Sequence, residues 1–291
     1  MPTYDEVIVT FLFISYITWE YFSGVYKRNK RLKNEWLVDL ISFGQLAVFK
    51  PIVMIAAFYL ASLFLPQYQD AFIDLPFWMA FLIVFIPDDF SHYWIHRIAH
   101  DYPAIWPLHR THHTTTAYQA SISFRENWLW FVIMPGFWWQ GLMVYYGLLE
   151  EVLLANVIIG SHDIWLHNGS NWDQALYKNK WTKKPMKLLE VFVNTPGLHR
   201  GHHGLGDNAV PYGNYAQTLF IWDVLFGTAV FKQGKLPKYY AVSNKEIMNQ
   251  PWYYHLWWPL VPKKEYPELA ARAKQQWQQH LLEQSNSGAE Q

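Results

Sequence analysis

Apolar residues in this chain gather into long runs instead of alternating with polar ones. Residues 7–26 (VIVTFLFISYITWEYFSGVY) and 37–65 (LVDLISFGQLAVFKPIVMIAAFYLASLFL) are each long enough, as helices, to cross a hydrocarbon core of about 30 Å. Between them lies KRNKRLK. Short loops rich in Lys and Arg stay on the cytoplasmic side, so this loop predicts an N-terminus outside and a return to the outside at Pro66 to Asp74. A third run, 75–95, leads inward and brings DDFSHYWIHRIAH to the cytoplasmic boundary. The stretch 127–149 holds no charged residue and leads out again, and 150–166 comes back. Asp5 and Glu6 stand where a signal peptide would carry basic residues, so the first run is expected to be a permanent anchor.

After His167 the chain turns polar. The pattern therefore predicts one all-α integral-membrane unit over 1–291, with about four to five spans and a cytoplasmic helical cap formed by 92–126 and 167–284. Within the cap, WYYHLWWPLV from Trp252 is expected as an interfacial belt and EYPELAARAKQQWQQHLLEQ as a helix, followed by a tail at 285–291. Glu20, Asp39 and Lys50 fall inside predicted spans. Charges there are costly, so they are expected to pair, to snorkel, or to mark span boundaries that lie elsewhere.

Composition agrees with a bilayer and narrows the chemistry. The 17 Trp and 19 Tyr suit two membrane interfaces, and a mean hydropathy of −0.07 averages over the separate runs. Lys+Arg and Asp+Glu balance at 23 each, so no global field points to nucleic acid. There is no Cys, which excludes disulfides, thiolate zinc sites and iron–sulfur clusters. Imidazole and carboxylate are left to bind any metal.

Of 13 histidines, 11 lie between His92 and His203. His92, His96 and His100 recur every four residues, and at about 40° per such step they form one helical stripe. His109, His112 and His113 stand at i, i+3 and i+4, as do His199, His202 and His203, so each triplet is expected on one helical face. Pro107 and Pro196 precede the triplets, as Pro does near helix starts. Packed imidazoles without partners cost desolvation and repel once protonated. Metal ions supply the partners, and more rings are present than one four-ligand site would use.

The segments DFSHYWIHRIAH, WPLHRTHHTTTAYQASISFRE, IWLHN, NTPGLHRGHHG and NYAQTLFIWDVLFGT, from Asp89 to Thr228, resemble the fatty acid hydroxylase/sterol desaturase superfamily of membrane di-iron enzymes. NTPGLHRGHHG and the last segment are most similar to its alkylglycerol monooxygenase branch. Carried over by position, the resemblance implies metal ligands at His96, His100, His109, His112, His113, His162, His167, His199, His202 and His203. The spacing from His162 to His167 is one residue longer than in that pattern. His92 occupies a place that supports a ligand. Asp89 could orient a ligand ring by accepting its second N–H, and Asn214 and Asp223 are further candidates for support, or turn residues. His255 and His280 stand apart as ordinary interfacial or surface residues.

The resemblance implies two iron ions, with zinc possible in recombinant protein, and O2-dependent hydroxylation of a lipid C–H bond. Electrons would come from a separate donor: a ferredoxin, a cytochrome b5 or a reduced pterin. The expected location is a bacterial inner membrane, or an endoplasmic reticulum membrane in a eukaryote, with the site on the cytoplasmic face. Alternatives are a desaturase or aldehyde-oxidising enzyme with the same ligands, a zinc-dependent lipid hydrolase, and a metal-binding membrane protein.

Overall fold

The computed structural model describes residues 3–28, 31–32, 34–232, 234–240, 250–261 and 275, so the helix expected from Glu265 lies outside the described residues. Helix α1 (Tyr4–Phe22) starts on a capping box in which Thr3 and Glu6 serve each other's backbone, and it ends before Gly24, whose positive φ of 74° turns the chain into α2 (Val25–Arg28). Helix α3 (Glu35–Phe64) has 30 residues. Among the described residues it is the one helix long and apolar enough by itself to cross a membrane. Helix α4 (Phe77–Asp101) runs six residues past the expected end of its apolar run, so one rigid rod carries both hydrophobic surface and histidines.

The stretch expected as one span at 127–149 is broken. Pro135 has no N–H to donate and disfavours helical backbone at the residue before it. Met134 accordingly adopts φ −59°, ψ 111°, between α6 (Trp128–Ile133) and α7 (Pro135–Tyr145). Helix α8 (Leu149–Leu166) then returns. Ala80, Val84 and Phe85 of α4 pack with Met143 of α7 and with Val152 and Ala155 of α8. Gly141 admits α7 to α3, since a Cβ there would lie 2.3 Å from the Met54 carbonyl oxygen.

Short elements complete the chain: α5 (Trp106–His113), α9 (Gln174–Lys178), α10 (Lys183–Phe192), α11 (Pro196–His202), α12 (Ile221–Leu225) and α13 (Trp252–Trp257). Strands β1 (Gly204–Leu205) and β2 (Tyr239–Tyr240) pair antiparallel.

Helix α3 is inside-out by the standards of a water-soluble protein. It buries Glu35, Asp39, Ser42 and Gln45 and exposes Leu40, Ile55 and Phe64. The charges noted in the sequence all have hydrogen-bond or ionic partners. Asp39 accepts from Arg31 at 2.6 Å and lies 3.4 Å from Arg125. Lys50 donates to Asn156 at 2.8 Å. Glu20 accepts the backbone N–H groups of Ala120 (2.9 Å) and Gly169 (2.7 Å), tying α1 to two loops that follow clustered histidines.

Removing that carboxylate strands two buried donors, each at a cost of roughly 1–3 kcal/mol. Glu20→Ala is therefore expected to lower the thermal unfolding temperature clearly. Thr18→Ala, which loses only an exposed bond within its own helix, is expected to leave it within error. Equal unfolding temperatures for the two variants would show that the Glu20 tie carries no stability.

Candidate metal centre

Four elements bring nine histidines together. The end of α4 carries His96 and His100, α5 carries His109, His112 and His113, α8 ends on His167, and α11 carries His199 and His202 and ends on His203. Pro107 and Pro196 sit in the first turns of α5 and α11, where their missing N–H groups cost nothing. Thr195 caps α11 by accepting the Leu198 N–H. All nine rings are buried.

They form two groups. His96, His100, His109, His113 and His202 make one; His112, His167, His199 and His203 make the other. Within each group the candidate ligand atoms lie within 4.8 Å of one another. Each triplet expected on one face is in fact shared out: its i and i+4 members serve one group and its i+3 member the other. On a helix the i+3 and i+4 positions lean to opposite edges of the same face, about 100° apart, so α5 and α11 each reach two sites. The His113 and His203 rings stack at 4.4 Å where the groups meet.

Backbone carbonyls fix several tautomers. The Nδ1–H of His96 donates to the Tyr215 carbonyl (2.6 Å), that of His202 to Gly213 (2.9 Å) and that of His167 to Asp163 (2.8 Å). Carbonyl oxygens only accept, so Nε2 of each ring holds a lone pair. Those of His96 and His202, like Nε2 of His100, are buried with no hydrogen-bond partner. Nε2 of His167 lies 3.1 Å from that of His112, 3.0 Å from that of His199 and 3.3 Å from that of His203. A nitrogen that bears no hydrogen cannot donate to three neighbours. Nitrogens bound about 2.0–2.1 Å from one ion stand roughly 2.9 Å apart at a right angle and 3.4 Å apart at the tetrahedral angle. The observed spacings fall in this interval, so the residues fit a metal ion.

Electrostatics points the same way. Burial, reinforced by neighbouring rings, holds His109, His112, His113, His199 and His203 well below the usual imidazole range, and burial holds His202 there too. Each is thus neutral with a lone pair to offer. Burial, with Asp163 adding to it, pushes the Glu126 carboxyl well above the usual carboxylate range. Glu126 Oε1 lies 2.9 Å from His109 Nδ1 and 3.8 Å from His112 Nδ1, so one carboxyl backs a ring of each group. A bound cation reverses the preference for a neutral acid. The sequence reading passed over Glu126, although it ends one of the matching segments; its distance from His109 along the chain hid the pairing.

Other expected residues take different places. His162 is not brought to either group: its Nε2 faces the Asn194 carbonyl at 3.1 Å. Five residues on a helix turn about 140°, against about 40° for four, so His162 on α8 faces away from the direction in which His167, just past the helix end, points. His92 packs its ring edge-on to His96 at 5.8 Å. Asp89 bonds no imidazole among the described residues; it accepts from the backbone N–H groups of Thr218 (2.9 Å) and Leu219 (3.1 Å) and from the Trp222 indole (2.8 Å). Asp223 accepts the N–H groups of Tyr215 and Ala216 and so steadies the carbonyl that holds His96. Asn214 accepts from Val230 and donates to the Leu198 carbonyl, staying in the loop. His255 is buried instead of at the surface, outside both groups, and its carbonyl accepts from Thr111 at 2.7 Å. His280 lies outside the described residues.

Residues 81–228 match the family profile described as fatty acid hydroxylase. Over 245 residues, 81% of this chain and 50% of the relative, the chain is 28% identical to an alkylglycerol monooxygenase of Xenopus tropicalis. It is 32% identical over 149 residues to the alkylglycerol monooxygenase of Homo sapiens, covering 50% of this chain and 29% of that protein. The Danio rerio alkylglycerol monooxygenase is 29% identical over 168 residues, 54% of this chain and 32% of its own length. The matches thus span half or less of each of these relatives, and no solved structure matches. The family match covers just over half of the chain, including every histidine of both groups, and with it the chain belongs to the fatty acid hydroxylase family.

Proposed function

We propose that each histidine group holds one metal ion, that the working metal is iron, and that the protein is an O2-dependent lipid monooxygenase for which alkylglycerols are the first substrate class to test. The observation that carries this reading is the convergence of nine buried imidazoles into two groups, partnerless Nε2 atoms of His96, His100 and His202 in one and Nε2 atoms crowded to 3.0–3.3 Å in the other, in a chain whose relatives are named alkylglycerol monooxygenases. When bound, an iron pair supplies the reduction of O2 and the transfer of one oxygen atom to a C–H bond, the other leaving as water with two electrons and two protons consumed. The electrons come from a separate donor of the ferredoxin, cytochrome b5 or reduced pterin class.

The chain's own residues supply the setting. Imidazole and carboxyl groups, with no thiolate, resist the oxidising chemistry better than soft sulfur ligands would. Outward Nδ1–H bonds hold Nε2 of His96, His167 and His202 inward, and Glu126 lends basicity to His109. On the membrane side, α3, α4 and α7 border an open apolar cleft of about 570 Å³ lined by Ala57, Leu60, Pro87, Trp138 and Leu142. It does not reach the histidines: it ends at Ser91, five residues before His96 on α4. We assign it to the far part of an alkyl chain. We assign the N-terminus to the outside and the site to the cytoplasmic face; the basic loop KRNKRLK supports this reading.

Purified protein in nanodiscs, given an alkylglycerol, a reductant and 18O2, is expected to yield a product carrying one labelled oxygen, seen by mass spectrometry. Lipid cleavage without O2 or reductant would instead show a metal hydrolase, and a product with a new double bond a desaturase.

Replacing a ligand is expected to differ from replacing its support. His96→Ala, His113→Ala, His167→Ala or His203→Ala should abolish oxygenation and lower bound metal per chain. Glu126→Ala should weaken metal affinity or activity by about 10–100-fold, as losses of such supports do. His92→Ala and His162→Ala should keep most of the metal. A site emptied by His162→Ala, with both sites full after His167→Ala, would overturn the ligand assignment.

A further inference from the structure

Helix α10 presents the wrong face to water. It buries Met186 and Glu190, and at 100° per residue Leu188 and Phe192 fall within about 40° of each other on roughly the opposite side. That outer side is apolar: Leu188 is 65% exposed and Phe192 53%, and Trp181, just before the helix, is 77% exposed. Lys183, Lys184 and Lys187 lie along one edge of the stripe, all exposed, and no ion pair among the described residues engages them. An apolar stripe bordered by lysines and led by a Trp is the pattern of a helix lying in a membrane interface.

The neighbours place this face at the right level. Helix α10 packs on α12, whose Leu225 is 64% exposed. Helix α12 is fastened to α4 through the Trp222–Asp89 bond (2.8 Å) and the packing of Trp222 on Phe90 at 5.0 Å. Asp89 lies seven residues before His96, or about 10 Å along the helix axis, on the side of α4 that leads to its apolar half. The exposed apolar surface therefore continues from α4 across α12 to α10. On its inner side, Glu190 accepts from Tyr177 and from Thr195 (2.9 Å), the residue that caps the metal-site helix α11.

We infer that α10, with the exposed edge of α12, is an in-plane membrane anchor: Trp181, Leu188 and Phe192 enter the boundary between headgroups and acyl chains, and Lys183, Lys184 and Lys187 bind the phosphates of anionic lipids. The inference rests on the membrane reading above. Charge and apolar stripe together favour lipid over an acidic protein partner, which would match the lysines and leave Leu188 and Phe192 without apolar cover.

Because the chain has no Cys, single spin labels at Leu188→Cys, Phe192→Cys, Leu60→Cys and Asp207→Cys report one site each. The full chain is placed in nanodiscs of phosphatidylcholine with and without phosphatidylglycerol, and label accessibility to oxygen and to a water-soluble nickel chelate is read by paramagnetic resonance. Labels at 188 and 192 are expected to favour oxygen, as at 60, at a depth of about 5–10 Å, and to sit deeper with phosphatidylglycerol. The label at 207 should favour nickel. Changing Lys183, Lys184 and Lys187 to Gln should abolish the dependence on anionic lipid. Nickel access at 188 and 192 equal to that at 207, with 60 in lipid, overturns the anchor alone; nickel access at 60 as well overturns the membrane reading beneath it. Shielding of 188 that appears only after an acidic redox protein is added overturns the lipid assignment in favour of that partner.

Discussion

Nine neutral imidazoles buried side by side have no stable arrangement among themselves. Their ring nitrogens crowd toward common centres, with the Nε2 lone pairs of His96, His167 and His202 aimed inward, and protonating the rings to relieve this would bury several like charges. Bound cations, as proposed above, would resolve the conflict, and much of the fold can be read as the scaffold that would hold the rings for them. The carbonyls of Tyr215, Gly213 and Asp163 each lock one ring. Those carbonyls are themselves held, as when Asp223 grips the backbone at Tyr215 and Ala216.

The same constraint explains why polar groups lie inside and apolar groups outside. Glu35, Asp39 and Arg125 form a buried ion network beneath the loop that leads to Glu126, and Glu20 clamps the turn after His167. Outside, α3 carries Leu40, Ile55 and Phe64 exposed. Helix α4 joins the two halves: its first part packs against α7 and α8, and its last two turns carry His96 and His100.

Much of this was legible in the sequence. The spacing of the two histidine triplets located their helices, and the prolines before them marked the starts. What spacing alone could not give was the division of each triplet between two sites, because it depends on where α4 and α8 deliver His100 and His167. Glu126 stayed hidden for the same reason: a carboxylate paired through space leaves no period along the chain. The break at Pro135 had a local cause that the apolar run concealed. His162 was carried over by resemblance, although a spacing of five residues already turned it away from His167.

The central claim is that two separate imidazole cages each hold a metal. X-ray absorption at the metal edge, on purified protein with its metal quantified, tests it directly. The account predicts about two metals per chain and a nitrogen shell, near 2.0–2.1 Å for the zinc form, with the outer-shell scattering of imidazole rings. One metal or fewer per chain after loading, or a shell dominated by oxygen without imidazole scattering, would contradict it.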